Sequence, residues 1–267
     1  MTANPADVTT PLFAPADRPE RFAKAAASGA DAIILDLEDA VSPDAKDGAR
    51  AALRADFAIC PVFVRVNAIG TPWHAADMAA VAGAGFAAVI VPKAERSAAF
   101  DALCAGSSIP VIALIESARG LADARSIAAL DNVVRLAFGS IDYCADLGCA
   151  HTRDALLAAR SELVLASRLA GIAAPLDGVT TRLDDPSVSE DDARYAAGLG
   201  FGGKLAIHPK QVAAIAAGFA PSDATVAWAE RVLASGAGAV AVDGAMVDEP
   251  VRIRARSILA KAGKSRP

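Results

Sequence analysis

Val111-Ile112-Ala113-Leu114-Ile115 is an unbroken apolar run, and it stops at an acid, Glu116. A strand with one wet face alternates apolar and polar residues. A continuous run suits a strand covered on both faces, as in a parallel sheet. The same pattern recurs on either side of it. Leu12 to Ala14, Ala32 to Leu37, Val62 to Val66, Ala88 to Val91, Val134 to Phe138, Pro175 to Val179 and Lys204 to Ile207 bring the number of runs to eight. Between them lie Ala-rich stretches of helical periodicity: Pro19 to Ser28, Asp44 to Ala55, Glu95 to Ala105, Leu121 to Leu130, Asp154 to Ala170 and Glu190 to Leu199. Strands alternating with helices predict parallel strands joined by crossover helices. Eight such units in about 250 residues match a (β/α)8 TIM barrel. An open doubly wound sheet is the alternative; the repeat count and the lack of a Gly-rich turn after the first strand favour the barrel.

The chain has 267 residues, 54% hydrophobic and 21% charged, with 67 alanines and a net charge of −5. This is a globular composition, in which Ala-rich helices cover something else. Scattered basic residues leave no footprint for nucleic acid or an anionic membrane. No stretch approaches the roughly 20 uninterrupted apolar residues of a membrane span, and Met1 to Thr10 is too polar for a signal peptide, so a cytoplasmic protein is expected. Cys60, Cys104, Cys144 and Cys149 form no CxxC pair, and only His74, His151 and His208 accompany them. Neither a zinc site nor a disulfide framework is indicated.

After the eighth run come helices near Pro209 to Ala217 and Asp223 to Ser235, a Gly-rich connector at Gly236 to Gly244, and a last helix from about Glu249 to Lys261. The reading is one barrel domain over 1–267 with a helical extension at about 209–267. That extension packs across the barrel bottom or reaches another subunit.

Chemistry in such a barrel sits where strands end at their C-termini. Those ends are acidic here: the second run ends Asp36-Leu37-Glu38-Asp39, Glu116 follows the fifth, and Asp142 follows the sixth. Carboxylates converging on one mouth repel one another unless paired or bound to a cation. A divalent ion relieves the repulsion. Mg2+ takes one or two direct carboxylates plus waters and substrate oxygens, which nominates Glu116 and Asp142 as ligands, with Glu38 and Asp39 bonding the metal's waters. The competing reading pairs each acid with a base. Arg65, inside an apolar run, needs an anionic partner from protein or ligand. Lys93 either pairs with a neighbouring carboxylate or, as a Schiff-base lysine, reacts with a carbonyl; the acidic mouth favours metal-assisted chemistry.

Gly198-Leu199-Gly200-Phe201-Gly202-Gly203-Lys204 has the spacing of a phosphate-binding loop. Leu205 stands where Ser or Thr must meet Mg2+, and Lys204 opens a strand, so the glycines are read as a tight turn. His208 before Pro209 contacts a carrier or caps the following helix. His74 and His151 are read as surface or loop residues. Ser117 and Ser140 have no evident His-Asp partners. Trp73 and Trp228 are read as packing residues.

Eight ordered motifs now stand out: Pro15-Ala16-Asp17-Arg18-Pro19-Glu20-Arg21; Asp36-Leu37-Glu38-Asp39-Ala40-Val41 with Lys46-Asp47 and Arg50; Val64-Arg65-Val66-Asn67; Val91-Pro92-Lys93-Ala94-Glu95; Leu114-Ile115-Glu116-Ser117; Phe138-Gly139-Ser140-Ile141-Asp142-Tyr143; Ala206-Ile207-His208-Pro209; and Asp243-Gly244-Ala245-Met246-Val247-Asp248-Glu249-Pro250. Together they resemble the HpcH/HpaI aldolase and citrate lyase β-subunit family, in particular its short stand-alone citrate-lyase-β-like members.

The resemblance implies a Mg2+-dependent barrel, commonly trimeric, with Mn2+ as the other candidate ion. It implies cleavage or formation of the carbon-carbon bond of a 3-hydroxy-3-carboxyacyl thioester of malyl-, citramalyl- or citryl-CoA type. The products would be acetyl-CoA, or its acyl-carrier analogue, and a 2-oxo acid. Glu116 and Asp142 would be metal ligands; Arg65 would contact the thioester carbonyl; Ile207 and His208 would lie near the acyl carrier. Asp248 would reach a neighbouring subunit's site and transfer a proton. Three alternatives stay open: a malyl-CoA thioesterase, a subunit active only in a multi-subunit complex, and an aldolase acting on free 2-oxo acids.

Overall fold

The computed structural model describes residues 4–236, 238 and 240–265. Eight parallel strands follow in order: β1 (Pro11–Pro15), β2 (Ala32–Asp36), β3 (Val62–Arg65), β4 (Ala88–Val91), β5 (Val111–Ile115), β6 (Val133–Phe138), β7 (Ala173–Asp177) and β8 (Gly203–Lys204). The sheet closes on itself. Phe13 and Ala206 exchange a backbone bond of 2.9 Å, as do Ala206 and Pro11 and also Lys204 and Thr9, and Leu12 bridges Ala206 in parallel. The architecture is a (β/α)8 TIM barrel.

Its helices are α1 (Phe22–Ala26), α2 (Lys46–Ala51), α3 (His74–Val81), α4 (Ala98–Gly106), α5 (Ala118–Ala128), α6 (Ser140–Leu147), α7 (Arg153–Ala170), α8 (Pro186–Leu199) and α9 (Pro209–Phe219). The short helices α3 and α6 escaped the periodicity reading because eight residues make barely two turns. β7 starts two residues earlier than expected, and of the eighth run only Lys204 lies in a regular strand, the two-residue β8.

The barrel interior is filled by residues from successive strands: Ile34, Phe63, Ile90, Ile112, Leu114, Ala137, Leu176 and Leu205. All are nearly free of solvent, which is why the strands read as continuous apolar runs. Arg135, on the same strand as Ala137, breaks the pattern. Its guanidinium donates to the carbonyls of Ala174 (2.7 Å), Val8 (2.6 Å) and Pro5 (3.1 Å). The segment ahead of β1 is thereby tied to the interior. Asp31 grips it from the side, accepting the Thr9 and Thr10 amides at 2.7 Å each.

Barrel closure also explains the glycine run. A Cβ on Gly203 would meet the Thr9 carbonyl oxygen at 2.5 Å, and one on Gly202 would meet the Arg135 guanidinium at 2.7 Å. Lys204 is buried against Asp177, at 3.2 Å, and the Gly178 carbonyl. This segment closes a sheet and builds no phosphate nest.

The described residues divide into two compact units, with the boundary between Ala216 and Ala217, inside α9. This boundary lies later than the start of the expected helical extension, at about 209. The second unit contains α10 (Asp223–Ala234), β9 (Val240–Val242), β10 (Ala245–Val247) and α11 (Glu249–Ser265). Its small core joins Ala229, Val232, Val247 and Ala255, with Trp228 packed against it and Arg254 over the indole. The connector expected at Gly236 to Gly244 contains half of an antiparallel hairpin. Its turn, Asp243-Gly244, has positive φ at both residues (51° and 78°), the geometry that an Asp-Gly pair favours. One stretch, Pro209–Ala234, reaches the length and mean hydropathy (1.2) of a membrane span by composition, but Lys210, Gln211, Asp223, Glu230 and Arg231 interrupt its apolar residues and Ala220-Pro221-Ser222 breaks it into two helices.

Candidate functional site

The loop after β2 is built around Asp36. Its carboxylate accepts the backbone amides of Glu38 (2.9 Å) and Ala40 (3.1 Å), which turns Glu38 inward and Asp39 outward. Asp36 and Arg65 are register partners on β2 and β3. They form a two-pronged ion pair with both contacts at 2.7 Å. The remaining arm of the guanidinium lies 2.9 Å from Glu38 and 3.5 Å from Asp39. Burial alone would lower the Arg65 pKa, but Asp36, Glu38 and Asp39 together raise it. Phe13 stacks on its face, 4.9 Å from the ring centroid.

Lys93, the second residue past β4, adopts φ +49°, a conformation uncommon outside glycine. From there its backbone amide donates to Glu116 Oε1 at 2.7 Å, while its ammonium group reaches Glu38 at 2.8 Å. The carboxylate-pairing alternative for Lys93 is the one observed. Glu38 thus faces a cation from each oxygen, although burial still raises its pKa.

Glu116 is nearly solvent-free. Its Oε2 has no hydrogen-bond partner among the described residues. Burial, then the charges of Glu38 and Asp142, push its pKa up to about 8, against the lowering effect of Lys93. Gly139, ahead of α6, makes room for it: a Cβ there would lie 2.5 Å from the Glu116 Cβ. Asp142 then enters from the first turn of α6 rather than from a loop.

Asp36, Asp39, Arg65, Glu116, Ser140 and Asp142 share one cavity of about 450 Å³ at the C-terminal ends of the strands. Phe13, Leu114, Phe138, Val179, Leu205 and Ile207 supply its apolar wall. No group of three or more His, Cys, Asp or Glu side chains that could hold a metal is present among the described residues. Two carboxylates, one carrying an orphaned buried oxygen, with room for waters and ligand oxygens, nevertheless suit a hard dication that needs few protein donors.

Lys93 lies outside this cavity. It lines a neighbouring one of about 350 Å³ with Glu38, Asp39, Lys46, Asn67 and Trp73. Sequence reasoning gave Lys46, Arg50 and Asn67 no role beyond their motifs. Lys46 donates to the carbonyls of Leu37 (2.6 Å) and Glu38 (2.7 Å) and to Asn67 Oδ1 (2.7 Å). Asn67 and Arg50 in turn hold buried Asp77, at 2.6 and 2.9 Å. This network clamps the acidic loop in place. Its tell in the sequence was a basic pair downstream of the acids.

One further expectation changes. Ser140 does have a histidine partner: its Oγ lies 2.9 Å from His151 Nε2. Burial and the charges of Arg160 and Lys204 lower the His151 pKa, which favours the neutral ring. Among the described residues no carboxylate bonds that ring, so a full triad is not assembled. His208 caps α9, its Nδ1 accepting the Lys210 amide at 3.1 Å. Ser117 likewise caps α5, accepting from Gly120. Asp248 belongs to the second unit, where its Oδ1 accepts the Val251 amide at 3.3 Å ahead of α11.

The profile of the HpcH/HpaI aldolase/citrate lyase family matches residues 9–209. The structure is similar to that of CitE from Mycobacterium tuberculosis in complex with magnesium, acetoacetate and coenzyme A, at 41% identity, TM-score 0.87, covering 97% of this chain and 99% of that one. It is also similar to a citrate lyase β subunit from M. tuberculosis complexed with oxaloacetate and magnesium, at 40% identity and TM-score 0.73, covering 81% and 99%. A (3S)-malyl-CoA thioesterase from Cereibacter sphaeroides is 35% identical over 266 residues, covering 94% of this chain and 93% of that protein.

Proposed function

Because this chain belongs to the HpcH/HpaI aldolase/citrate lyase family, we propose that it is a Mg2+-dependent carbon-carbon lyase acting on 3-hydroxy-3-carboxyacyl thioesters. Cleavage would release acetyl-CoA, or its acyl-carrier analogue, and a 2-oxo acid. The observation that carries this reading is the orphaned Oε2 of Glu116, facing the same cavity as Asp142 and Arg65. An ordinary structural carboxylate that deep would have both oxygens satisfied.

Glu116 and Asp142 would hold the ion. A bound Mg2+ supplies Lewis acidity toward the hydroxyl and carboxylate of the 2-oxo-acid half. Breaking the bond leaves negative charge on the thioester oxygen. Arg65 is fixed by Asp36 before the substrate arrives, so no reorganisation is needed when that charge develops. Two N–H groups of Nη2 are available in all, and only one is committed to Asp36. The other is free to donate to the developing oxyanion. Asp248 is assigned the proton transfer at the enolate carbon, reaching the site of a neighbouring copy in a homotrimer. Ile207 and His208 would border the acyl carrier.

Malyl-, citramalyl- and citryl-CoA, incubated with the protein in the presence and absence of EDTA and followed by mass spectrometry, test the reading. Metal-dependent release of acetyl-CoA with the matching 2-oxo acid is expected; no cleavage of any of the three would refute it. A hydrolytic reading, malyl-CoA thioesterase, is favoured by the Ser140–His151 contact and by the similarity to the C. sphaeroides protein. Free malate and CoA without glyoxylate would select it.

A further inference from the structure

Helix α7 (Arg153–Ala170) buries Leu156, Ala159, Leu163 and Ala166. On its other side Leu157, Leu165 and Leu169 remain 42%, 44% and 65% exposed. With exposed Ser161 they recur every four residues, on successive turns of one face. Isolated exposed leucines are ordinary at a surface. Three in one stripe mark a contact that the chain does not make within itself.

The charges on this helix fall into two sets. Arg153, Arg160 and Glu162 are ion-paired inside the chain: Arg153 to Asp191 and Asp192, Arg160 to Asp177, Glu162 to Arg125. The exposed side chains of Asp154 and Arg168 have no such partner among the described residues. One stands in the first turn of α7 and the other in the last. Steps of four and three through Ala158, Ser161 and Leu165 connect them, so both flank the leucine stripe.

This pattern complements a second copy of itself in one sense only. Two α7 helices related by a two-fold axis through Ser161 bring Asp154 of each against Arg168 of the other, and Leu165 against Leu157 and Ala158. Ser161 meets its own counterpart at the axis, where a small side chain lets the helices approach closely. A parallel pair would oppose like charges at both ends. A surface that meets itself in this way is what an isologous contact requires.

We propose that α7 is a two-fold contact between copies of this chain, with Asp154 and Arg168 fixing its antiparallel sense. None of these residues lines the candidate active-site cavity, so the contact is independent of the reaction.

One helix face is smaller than the roughly 800 Å² per partner of a standard interface, so association in the micromolar range is expected. Sedimentation velocity of the full chain, from about 1 to about 100 µM, counts the copies. An even-numbered assembly that builds up with concentration is expected; an odd count throughout, whether one chain or three, overturns the proposal. Leu165→Glu puts a charge in the middle of the contact and should weaken association at least about tenfold. Undiminished association in that variant places the contact elsewhere and also overturns the proposal. Asp154→Arg and Arg168→Asp are surface changes that leave the core untouched; each should weaken association by about threefold to tenfold, and the double variant should recover it. Single variants that associate normally, or a double variant that does not recover, refute the antiparallel pairing.

Discussion

Lys93 donates its backbone amide to one oxygen of Glu116 and leaves the other bare, at the bottom of an acidic mouth. The left-handed backbone of Lys93 is what aims that amide. The arrangement orients the carboxylate, sets the Lys93 ammonium 3.8 Å from its bonded oxygen, and leaves its second oxygen without a partner among the described residues. Strain at a strand end is tolerated because the surrounding barrel over-determines the local geometry.

Metal affinity should therefore depend on pH. The Glu116 pKa is raised to about 8 by burial and by neighbouring acids, so the ion must displace a proton below that value. Affinity for Mg2+ is expected to rise about tenfold per pH unit up to about pH 8 and then level off. The unfolded chain loses this proton near 4.5, far earlier than the folded one. The metal-free protein consequently loses stability from this group as pH rises from about 4.5 to about 8, and Mg2+ restores it. Thermal melting of the native protein and of Glu116→Gln, with and without Mg2+, checks both signs. The variant should show neither the pH slope nor the Mg2+ shift.

Gly139→Ala tests the packing that lets Glu116 and α6 approach. Its φ of −85° is open to any residue, so the glycine is there for space rather than for backbone freedom. The added methyl would sit 2.5 Å from the Glu116 Cβ, and strand and helix must part to admit it. A stability loss of about 1–3 kcal/mol is expected, with weakened Mg2+ binding, read by denaturant melts and metal titration.

Asp248→Asn should lower turnover by about 100-fold with the fold intact. Asn caps a helix as well as Asp does, so the N-terminus of α11 keeps its bond to the Val251 amide. Mixing this variant with Glu116→Gln, after partial unfolding and reassembly, should restore activity if the two residues serve one site from different copies. Unchanged turnover in Asp248→Asn would remove the residue from the chemistry.

Arg135→Met addresses the opposite end of the barrel. Burial lowers the Arg135 pKa to about 10, against the charges of Asp31 and Asp7, and its guanidinium donates to three carbonyls. Removal strands those carbonyls and unfastens the segment ahead of β1. A loss of about 2–4 kcal/mol is expected, with the affinity for substrate unaltered. Urea melts and KM values on the same preparation separate the two effects.

Much of the site was legible as a position in the chain. Acids recur at the ends of apolar runs because a strand buried on both faces carries polar residues only where it leaves the core, and that point in a parallel barrel is the mouth. Glu116, Asp142, Glu38 and Arg65 were identified on that ground. Which base meets which acid was not legible. Lys93 and Glu38 are 55 residues apart and Arg65 and Asp36 are 29 apart, and their pairing follows from strand register and a single left-handed residue.

Sequence by itself determined the eight-fold alternation, the barrel and the family, since each rests on periodicity and ordered motifs that survive without coordinates. Tertiary structure alone decided that Ser140 meets His151, that Lys46 clamps the acidic loop, and that Arg135 ties down the leading segment. Each of these is a side-chain contact to a group that only the folded barrel brings within reach. Local patterning encodes which residues are buried, whereas the partner a buried polar group finds depends on every other strand being in register.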